Sequence, residues 1–476
     1  MLPLAAPAAG ARSSAPPPPA AALAPAPAGD PAIHAADHPG APAPLKAPRV
    51  PGTAVLRGLA QIVALPNSDA GKAALAANFT VTGGLQTGAI RQPTLLPFAE
   101  QQLQALRDVF ITENNLAELA DGLGTTLGSA YLARAHYLDR SRYTSLSPAV
   151  AAVIAYANST TAPDSQAGKY LFANATTDGR TPVPAELSDI LKDLHGTPDV
   201  FGRVYGHPAG SPGADRFGDS RPFQTEPTVA TITGPDYFDT PADNVVYDRG
   251  PLMNLTDSPS YPSGHTTYGY MGATVLAVLV PERYSQMMAR GAEYGNDRIL
   301  VAAHYAMDVL GGRTLSLYDM AHLLANDPDY MNRHLKGAPA IADFRAAMAT
   351  ARADMKQALE AACGDNIATC AAQDTGRFSD PAALAAFTAS TQTYGLPVVH
   401  PDTANTVEDV GRLAPEAGWL LTVAFPSLTL EQADRILTDT EGPGGGFLDD
   451  GSAFGVYSRL DLYAAGRRAA ALAGSH

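Results

Sequence analysis

Hydrophobic positions recur every three to four residues along much of the chain, which is the spacing of amphipathic helices. This spacing predicts helices over residues 97–111, 116–139, 187–194, 266–279, 284–296, 303–325, 341–362, 428–437 and 457–473. Pro97 favours the start of the first helix, and Asn114 or Asn115 can cap the second. Strand patterns are few and short, so the sequence predicts an all-α fold.

Two stretches lack helical spacing. Residues 1–50 are rich in alanine and proline, which predicts a disordered or polyproline-like lead. Pro3 and Pro7 interrupt its one apolar run, so we expect that a signal peptide was removed before this numbering or that there was none. Residues 201–259 are rich in glycine, proline and aspartate and are predicted to form long loops, which are often functional in a compact domain.

Composition narrows the classes of function. The chain has 476 residues, of which 46% are hydrophobic, and this is enough for a sizeable core. The formal charge is −15 and basic residues do not cluster, which argues against nucleic acid as a partner. No window reaches 18 apolar residues, so no membrane span is predicted, and the apolar run at 270–281 is expected to be a buried helix.

The two cysteines, Cys363 and Cys370, enclose a polar, turn-like segment. Their even number and close spacing favour a disulfide formed in an oxidising compartment, with two unlinked thiols as the alternative. Without a matching pair of histidines they are a poor zinc site, so no metal centre is predicted.

Three separated segments carry residues suited to anion chemistry, namely Arg216 to Pro222, Pro262-Ser263-Gly264-His265, and Arg298 to Asp308 with His304 between them. Arginine offers a planar fork of donors for an oxyanion. The Ser263 hydroxyl and the backbone N–H groups of Ser263-Gly264 at a helix start add donors aligned with the helix dipole. Together these groups predict a phosphate-like anion site.

His304 and Asp308 are four residues apart, which on a helix places both side chains on one face. The carboxylate can then accept the Nδ1 proton of His304 and leave Nε2 as a nucleophile. His265 supplies a second imidazole, suited to protonating a leaving oxygen.

The order of these segments resembles the type 2 phosphatidic acid phosphatase superfamily, which includes soluble class A acid phosphatases and vanadium haloperoxidases. The family pattern is Lys-x6-Arg-Pro, then Pro-Ser-Gly-His, then Ser-Arg-x5-His-x3-Asp. The chain matches it at Arg221-Pro222, Pro262–His265, Arg298, His304 and Asp308. It departs from the pattern at Ala214, where lysine is expected, and at Asp297, where serine is usual.

The resemblance implies a helical bundle of the acid phosphatase and haloperoxidase type. Residues 51–345 would form the catalytic domain, with the motif core at 200–320, and residues 346–476 a helical extension packed on it. The implied activity is hydrolysis of a phosphorylated small molecule without a metal or other cofactor, in a periplasmic or secreted protein.

The same resemblance implies a role for each matched residue. His304 would be the nucleophile that forms a phosphohistidine, Asp308 would orient it, and His265 would be the general acid. The phosphoryl oxygens would be bound by Arg221, Arg298, Ser263 and the N–H of Gly264.

The missing lysine raises the question of which cation replaces it. We hypothesise that Arg216 does, with Arg203 as a more distant candidate. Asp297 is expected either to pair with Arg298 or to face solvent.

Two alternative functions stay open. One is a vanadate-dependent haloperoxidase, in which vanadate occupies the same pocket and is held by His304. The other is an inactive remnant that binds phosphorylated ligands without turnover.

Overall fold

Helices make up most of the chain, so the prediction of an all-α fold is confirmed. The computed structural model describes residues 52–110, 114–244 and 255–474, and the predicted disordered lead at 1–50 lies outside these ranges. The helices of the described ranges are α1 (Thr53–Leu59), α2 (Gln61–Ala64), α3 (Asp69–Thr87), α4 (Phe98–Arg107), α5 (Thr125–Leu132), α6 (Pro148–Asn174), α7 (Ala185–Asp193), α8 (Val200–Val204), α9 (Pro222–Thr225), α10 (Gly264–Leu279), α11 (Tyr284–Leu300), α12 (Ala306–Leu324), α13 (Phe344–Cys363), α14 (Ile367–Ala372), α15 (Pro381–Thr393), α16 (Pro401–Ala404), α17 (Val410–Leu413), α18 (Trp419–Thr422), α19 (Leu430–Asp439) and α20 (Leu462–Ala473).

The predicted helices around the motifs are present as α10 to α13. The helix predicted at 116–139 is instead a 3₁₀ turn, Ala117–Leu123, followed by α5. Gly124 separates the two with a φ of 92°, a conformation that no helix interior allows.

Three long helices were not predicted, α3, α6 and α15. The sequence of α6 lacks a clear helical pattern for two reasons. Pro163 lies inside the helix, and the buried face of the helix carries polar side chains. Tertiary packing therefore outweighs local sequence preference in this helix.

The irregular stretch at 201–259 contains only short elements where it is described. Besides α8 and α9 it holds a two-stranded antiparallel ribbon, β1 (Thr233–Pro235) and β2 (Pro241–Asp243), in which Gly234 pairs with Ala242. A 3₁₀ turn, Leu255–Asp257, lies near its end, and the remainder of its described residues are turns and loops, as the sequence predicts.

The motif helices meet because α10 lies at the centre of the fold. It is apolar around most of its circumference, which is typical of a helix covered on all sides, and it packs against α6, α11, α12 and α13. Gly312 of α12 faces its start, where an added Cβ would lie 2.4 Å from the Ser263 carbonyl oxygen. Glycine therefore permits the close approach that joins the second and third motifs.

The C-terminal helices pack on the same core. α13 contacts α6 and α10, and α20 contacts α11. The predicted disulfide between Cys363 and Cys370 is confirmed and joins α13 to α14. The described residues form one compact unit, so the division of the chain at residue 345 stays a prediction.

None of the helices within the described ranges is both long enough and apolar enough to cross a bilayer.

Candidate active site

The Pro-Ser-Gly-His segment forms the start of α10. Ser263 is the N-cap, and its Oγ accepts hydrogen bonds from the N–H of Thr266 at 3.1 Å and from the Thr266 hydroxyl at 2.9 Å. The predicted helix start is therefore present, two residues earlier than the spacing indicates. Ser263, Gly264 and His265 follow one another at the positive end of the helix dipole, where an anion is stabilised.

His304 and Asp308 meet in the turn that leads into α12. His304 Nδ1 lies 3.2 Å from Asp308 Oδ2, and both side chains are fully buried. The expectation that both residues lie on one helix is wrong, because α12 begins at Ala306 and His304 precedes it. The left-handed conformation of Ala302, with a φ of 58°, ends the preceding helical turn and sends the chain back towards the site.

Asp308 is held by donors that the sequence pattern did not reveal. Its Oδ2 accepts a hydrogen bond from the backbone N–H of Tyr305 at 2.8 Å and another from the hydroxyl of Ser260. These contacts fix the carboxylate against the imidazole of His304. With the Nδ1 proton of His304 directed at Asp308, the Nε2 atom carries the free electron pair.

The Nε2 atom of His304 faces two further groups of the predicted site. Arg221 Nη1 lies 3.0 Å from it, and His265 Nδ1 lies 3.1 Å from it. Arg221 is itself oriented by carbonyl oxygens, because its Nη1 donates to Ala303 at 2.9 Å and its Nε to Ser258 at 2.8 Å. This nitrogen, which the sequence predicts to be the nucleophile, thus faces two of the groups predicted to bind and protonate a substrate.

Arg298 lies in the last turn of α11 with its guanidinium 4.9 Å from the centre of the Tyr294 ring. Nη2 donates to the Ala105 carbonyl at 3.1 Å, whereas Nη1 is buried without a hydrogen-bond partner. Asp297 is buried and accepts a hydrogen bond from Gln101 at 2.9 Å, so it does not face solvent. A buried guanidinium with an unused donor is suited to an anionic ligand.

The structure does not bring Arg216 to this cluster. Its side chain is 58% exposed, its Nε lies 3.6 Å from Asp257, and its guanidinium stacks on Phe217. Arg203 is also exposed and donates to the Pro198 carbonyl. The hypothesis that Arg216 replaces the missing lysine therefore has no support from its position.

Another cation, Lys169, lies beside Arg221. It projects from α6 and is 2% exposed, and its Nζ donates to the Pro259 carbonyl at 2.9 Å. Sequence analysis missed this residue because no helix was predicted there. A lysine between apolar residues in AGKYLF was the available signal, since lysine is rarely buried without a partner.

Burial and neighbouring cations set the protonation of the two imidazoles. Desolvation, then Arg298, Arg221 and Lys169, hold the pKa of His265 well below its usual range. Desolvation and Arg221 do the same to the pKa of His304. Burial raises the pKa of Asp308 to about 7, although the hydrogen bonds from Ser260 and Tyr305 oppose the rise. The imidazoles are neutral above these lowered pKa values, and the positive potential of the neighbouring cations favours binding of an anion.

The parts of the chain that the structure describes contain no group of three or more His, Cys, Asp or Glu side chains placed to hold a metal ion.

Comparisons with known proteins match the region that contains this cluster. Residues 214–325 match the PAP2 superfamily. A non-specific acid phosphatase of Salmonella typhimurium is 42% identical over 69 residues, which is 14% of this chain and 28% of that protein. An acid phosphatase of Zymomonas mobilis is 31% identical over 118 residues, or 25% of this chain and 39% of that protein. A non-specific acid phosphatase of Providencia stuartii is 34% identical over 79 residues, or 17% and 32% of the two chains. The matches thus span well under half of these relatives' length.

Proposed function

The chain belongs to the PAP2 superfamily through residues 214–325, as its motifs indicated, and from this premise we propose that it is a phosphatase that uses His304 as the nucleophile. The observation that carries the proposal is the environment of the His304 ring. One nitrogen lies against a carboxylate, and the other faces both Arg221 and His265. This arrangement prepares one electron pair for attack and surrounds it with donors.

Binding of the substrate would use the cationic and dipolar groups around His304 Nε2. Arg221 and His265 contact this atom directly, so a phosphoryl group must enter between His304 Nε2 and these two side chains. Their donors would then turn to the phosphoryl oxygens, joined by the free Nη1 of Arg298 and the N-terminus of α10 at Ser263-Gly264. Preorganised donors of this kind stabilise the charge of a transferring phosphoryl group.

In the first chemical step the electron pair of His304 Nε2 attacks phosphorus. The N–P bond forms as the P–O bond to the alcohol breaks, and His265 gives a proton to the departing oxygen. Asp308 stabilises the positive charge that develops on the imidazole. The products of this step are the alcohol and a phosphohistidine.

In the second step water attacks the phosphorus of the phosphohistidine. His265, now neutral, accepts a proton from that water, and the N–P bond breaks with its electron pair returning to Nε2. Inorganic phosphate leaves, and both imidazoles regain their starting protonation.

We further propose that neither step needs a metal ion. Side chains of this chain supply the positive charge that phosphoryl transfer requires, with Arg221 and Arg298 as the buried guanidinium groups. Activity that survives EDTA would support this part of the proposal.

The alternatives use the same pocket. Vanadate is a tetrahedral oxyanion that these donors would also hold, but each relative named above is an acid phosphatase and none a haloperoxidase. An inactive remnant is disfavoured because the nucleophile, its carboxylate and the acid are all present and in contact.

The proposed function also includes the compartment of the protein and the class of its substrate. The disulfide between Cys363 and Cys370 is of the kind that persists in oxidising surroundings, which supports a periplasmic or secreted protein. The substrate would be a phosphorylated small molecule whose phosphate monoester enters the pocket.

The proposal is tested with the purified chain and p-nitrophenyl phosphate. We expect hydrolysis that vanadate inhibits and that EDTA does not reduce. Absence of hydrolysis, together with halide oxidation on addition of vanadate and peroxide, would overturn the phosphatase in favour of the haloperoxidase.

A further inference from the structure

We propose that Lys169 on α6 supplies the ammonium group that binds a phosphoryl oxygen, in place of the lysine that the family pattern expects at position 214. The inference rests on the proposed function for its chemistry, but it concerns a residue outside the 214–325 region that matches the family. It also replaces the hypothesis that Arg216 fills this role.

The ammonium of Lys169 and the guanidinium of Arg221 converge on the same acceptors. Lys169 Nζ lies 2.9 Å from the Pro259 carbonyl oxygen and 3.5 Å from Ser258 Oγ. Arg221 Nη2 lies 3.2 Å and 3.3 Å from the same two atoms. The two buried basic side chains therefore lie side by side, and one of them, Arg221, also contacts His304.

No carboxylate compensates Lys169 directly. Among the described residues, none forms an ion pair with it within 4.0 Å. Two carboxylates act on it from farther away, Asp308, which is engaged with His304 and Ser260, and Asp215, whose Oδ1 accepts a hydrogen bond from the N–H of Phe217. Burying an unpaired charge is costly, and here burial and Arg221 hold the pKa of Lys169 well below its usual range. The negative charge of a bound phosphate would oppose both effects and raise this pKa, so that phosphate binding would favour the ammonium form of Lys169.

An ammonium has three N–H donors, and the Pro259 carbonyl and Ser258 Oγ can take two of them. The third donor is available for a ligand oxygen.

The stem of Lys169 lies against the helix start that is predicted to bind the anion. A Cβ added to Gly264 would lie 3.5 Å from Lys169 Cε and 3.5 Å from Ser165 Oγ. Ser165 is one helical turn before Lys169, and its hydroxyl is buried without a hydrogen-bond partner. The unpartnered hydroxyl of Ser165, the side chain of Lys169 and the N-terminus of α10 therefore lie next to one another.

The close approach of α6 depends on the residue before the lysine. A Cβ on Gly168 would lie 3.0 Å from Pro262 Cδ, tighter than ordinary contacts allow. Glycine at this position lets α6 bring Lys169 to the Pro-Ser-Gly-His segment. The helix is therefore fitted to the second motif, although it lies outside the matched region.

The experiment compares Lys169→Met with wild type in two measurements, the Kd for inorganic phosphate by calorimetry and kcat/KM for p-nitrophenyl phosphate. We expect phosphate affinity to fall about 10- to 100-fold, as for loss of a charged hydrogen bond. We expect kcat/KM to fall about 100-fold or more, as for loss of one donor to a transition-state oxyanion. Lys192→Met, at an exposed lysine paired with Asp189, is the matched control and should change neither.

Lys169→Gln is the second variant, because an amide can still donate to the Pro259 carbonyl if Lys169→Met does not fold. Lys169→Arg keeps the charge and should bind phosphate more tightly than either neutral variant. A purely structural role for Lys169 predicts a lower melting temperature with an unchanged phosphate Kd in every folded variant, and that result would overturn the inference. A larger loss of phosphate affinity in Arg216→Met than in the Lys169 variants would overturn it as well.

The design separates this inference from the proposed function. If wild type binds phosphate without hydrolysing esters and Lys169→Met loses that binding, the phosphatase fails and the lysine assignment stands. If wild type hydrolyses esters and the folded Lys169 variants match it in both measurements, the assignment fails and the phosphatase stands. A wild-type chain that binds no inorganic phosphate would overturn both.

Discussion

His304 Nδ1 lies 3.2 Å from Asp308 Oδ2, while Nε2 of the same ring faces Arg221 and His265. In the proposed mechanism this relationship determines which nitrogen of His304 carries the reactive electron pair, because a carboxylate on one side fixes the proton there. The contact joins the last loop residues before α12 to its first turn, so the active tautomer depends on how that helix begins.

Asp308→Asn should lower kcat by roughly 10³- to 10⁴-fold, since an amide can hold the imidazole in the wrong tautomer. The measurement is steady-state hydrolysis of p-nitrophenyl phosphate by the folded Asp308→Asn variant. Asp327→Asn is a matched control, because Asp327 Oδ2 lies 2.7 Å from Nδ1 of His322 outside the site. A kcat for Asp308→Asn within tenfold of wild type would contradict the assigned role.

The pH dependence of kcat/KM should reveal His265 as the general acid. Its pKa is held below 6.5, so the acid form that donates a proton is lost as pH rises through that lowered value. For an alkyl phosphate, which needs protonation of its leaving group, the contribution of His265 to kcat/KM should therefore decline as pH rises, while ionisation of Asp308 near pH 7 acts in the opposite direction.

Ionisation of the substrate also changes kcat/KM with pH. In His265→Asn only this substrate contribution should remain, and the additional decline should disappear. His322→Asn, at a histidine outside the site, should keep the wild-type profile. An unchanged profile in His265→Asn would assign the acid to another group.

Gly264→Ala should change phosphate binding at the start of α10 without changing the stability of the fold. The new methyl group would meet Lys169 and Ser165 at 3.5 Å, an ordinary contact, so the melting temperature should stay close to wild type. If the phosphoryl group occupies this space, the methyl group should weaken inhibition by inorganic phosphate. Wild-type inhibition in a folded Gly264→Ala protein would locate the anion elsewhere.

Arg377 should contribute to stability rather than to chemistry. It lies in the C-terminal part and donates to the buried Glu293 of α11 at 2.8 Å and 2.9 Å. Arg377→Met should lower the free energy of unfolding by roughly 1.5 to 3 kcal/mol, because it removes charged hydrogen bonds to Glu293 while Arg290 still lies 3.3 Å from that carboxylate. Chemical denaturation measures this change.

Arg468→Met is the matched control, since Arg468 pairs with Asp439 at an exposed site. Exposed pairs contribute about 0 to 1 kcal/mol, so its effect should be small. Equal losses in the two variants would show that the ion pairs of Arg377 do not anchor the C-terminal helices.

The sequence was sufficient to predict the parts of the site that are local. Ser263 and Gly264 were recognised as a helix start because capping and glycine have local signatures, and the structure has them there. The contact between His304 and Asp308 was also expected from their separation. The expectation that both residues lie on one helix is wrong, since Ala302 turns the chain before α12 begins and His304 contacts Asp308 from the residues just before that helix.

Sequence patterns could not identify Lys169 as the cation beside Arg221. Arg216 is near Arg221 in the chain but turns outwards to Asp257, whereas Lys169 is 52 residues away and lies beside it. The pairing depends on α6, whose inner face mixes Lys169 with polar residues and therefore lacks an apolar stripe. Only tertiary packing of α6 against the second motif brings this charge into the site.

The most direct test of the central claim is the identity of the phosphorylated residue. Wild-type protein is mixed with a labelled phosphomonoester, denatured within milliseconds under alkaline conditions that preserve phosphohistidine, and mapped by mass spectrometry. We expect the label on His304 in wild type and no labelled protein in His304→Ala, which should also lose turnover. Label that persists in His304→Ala, or that maps to another residue in wild type, would contradict the account.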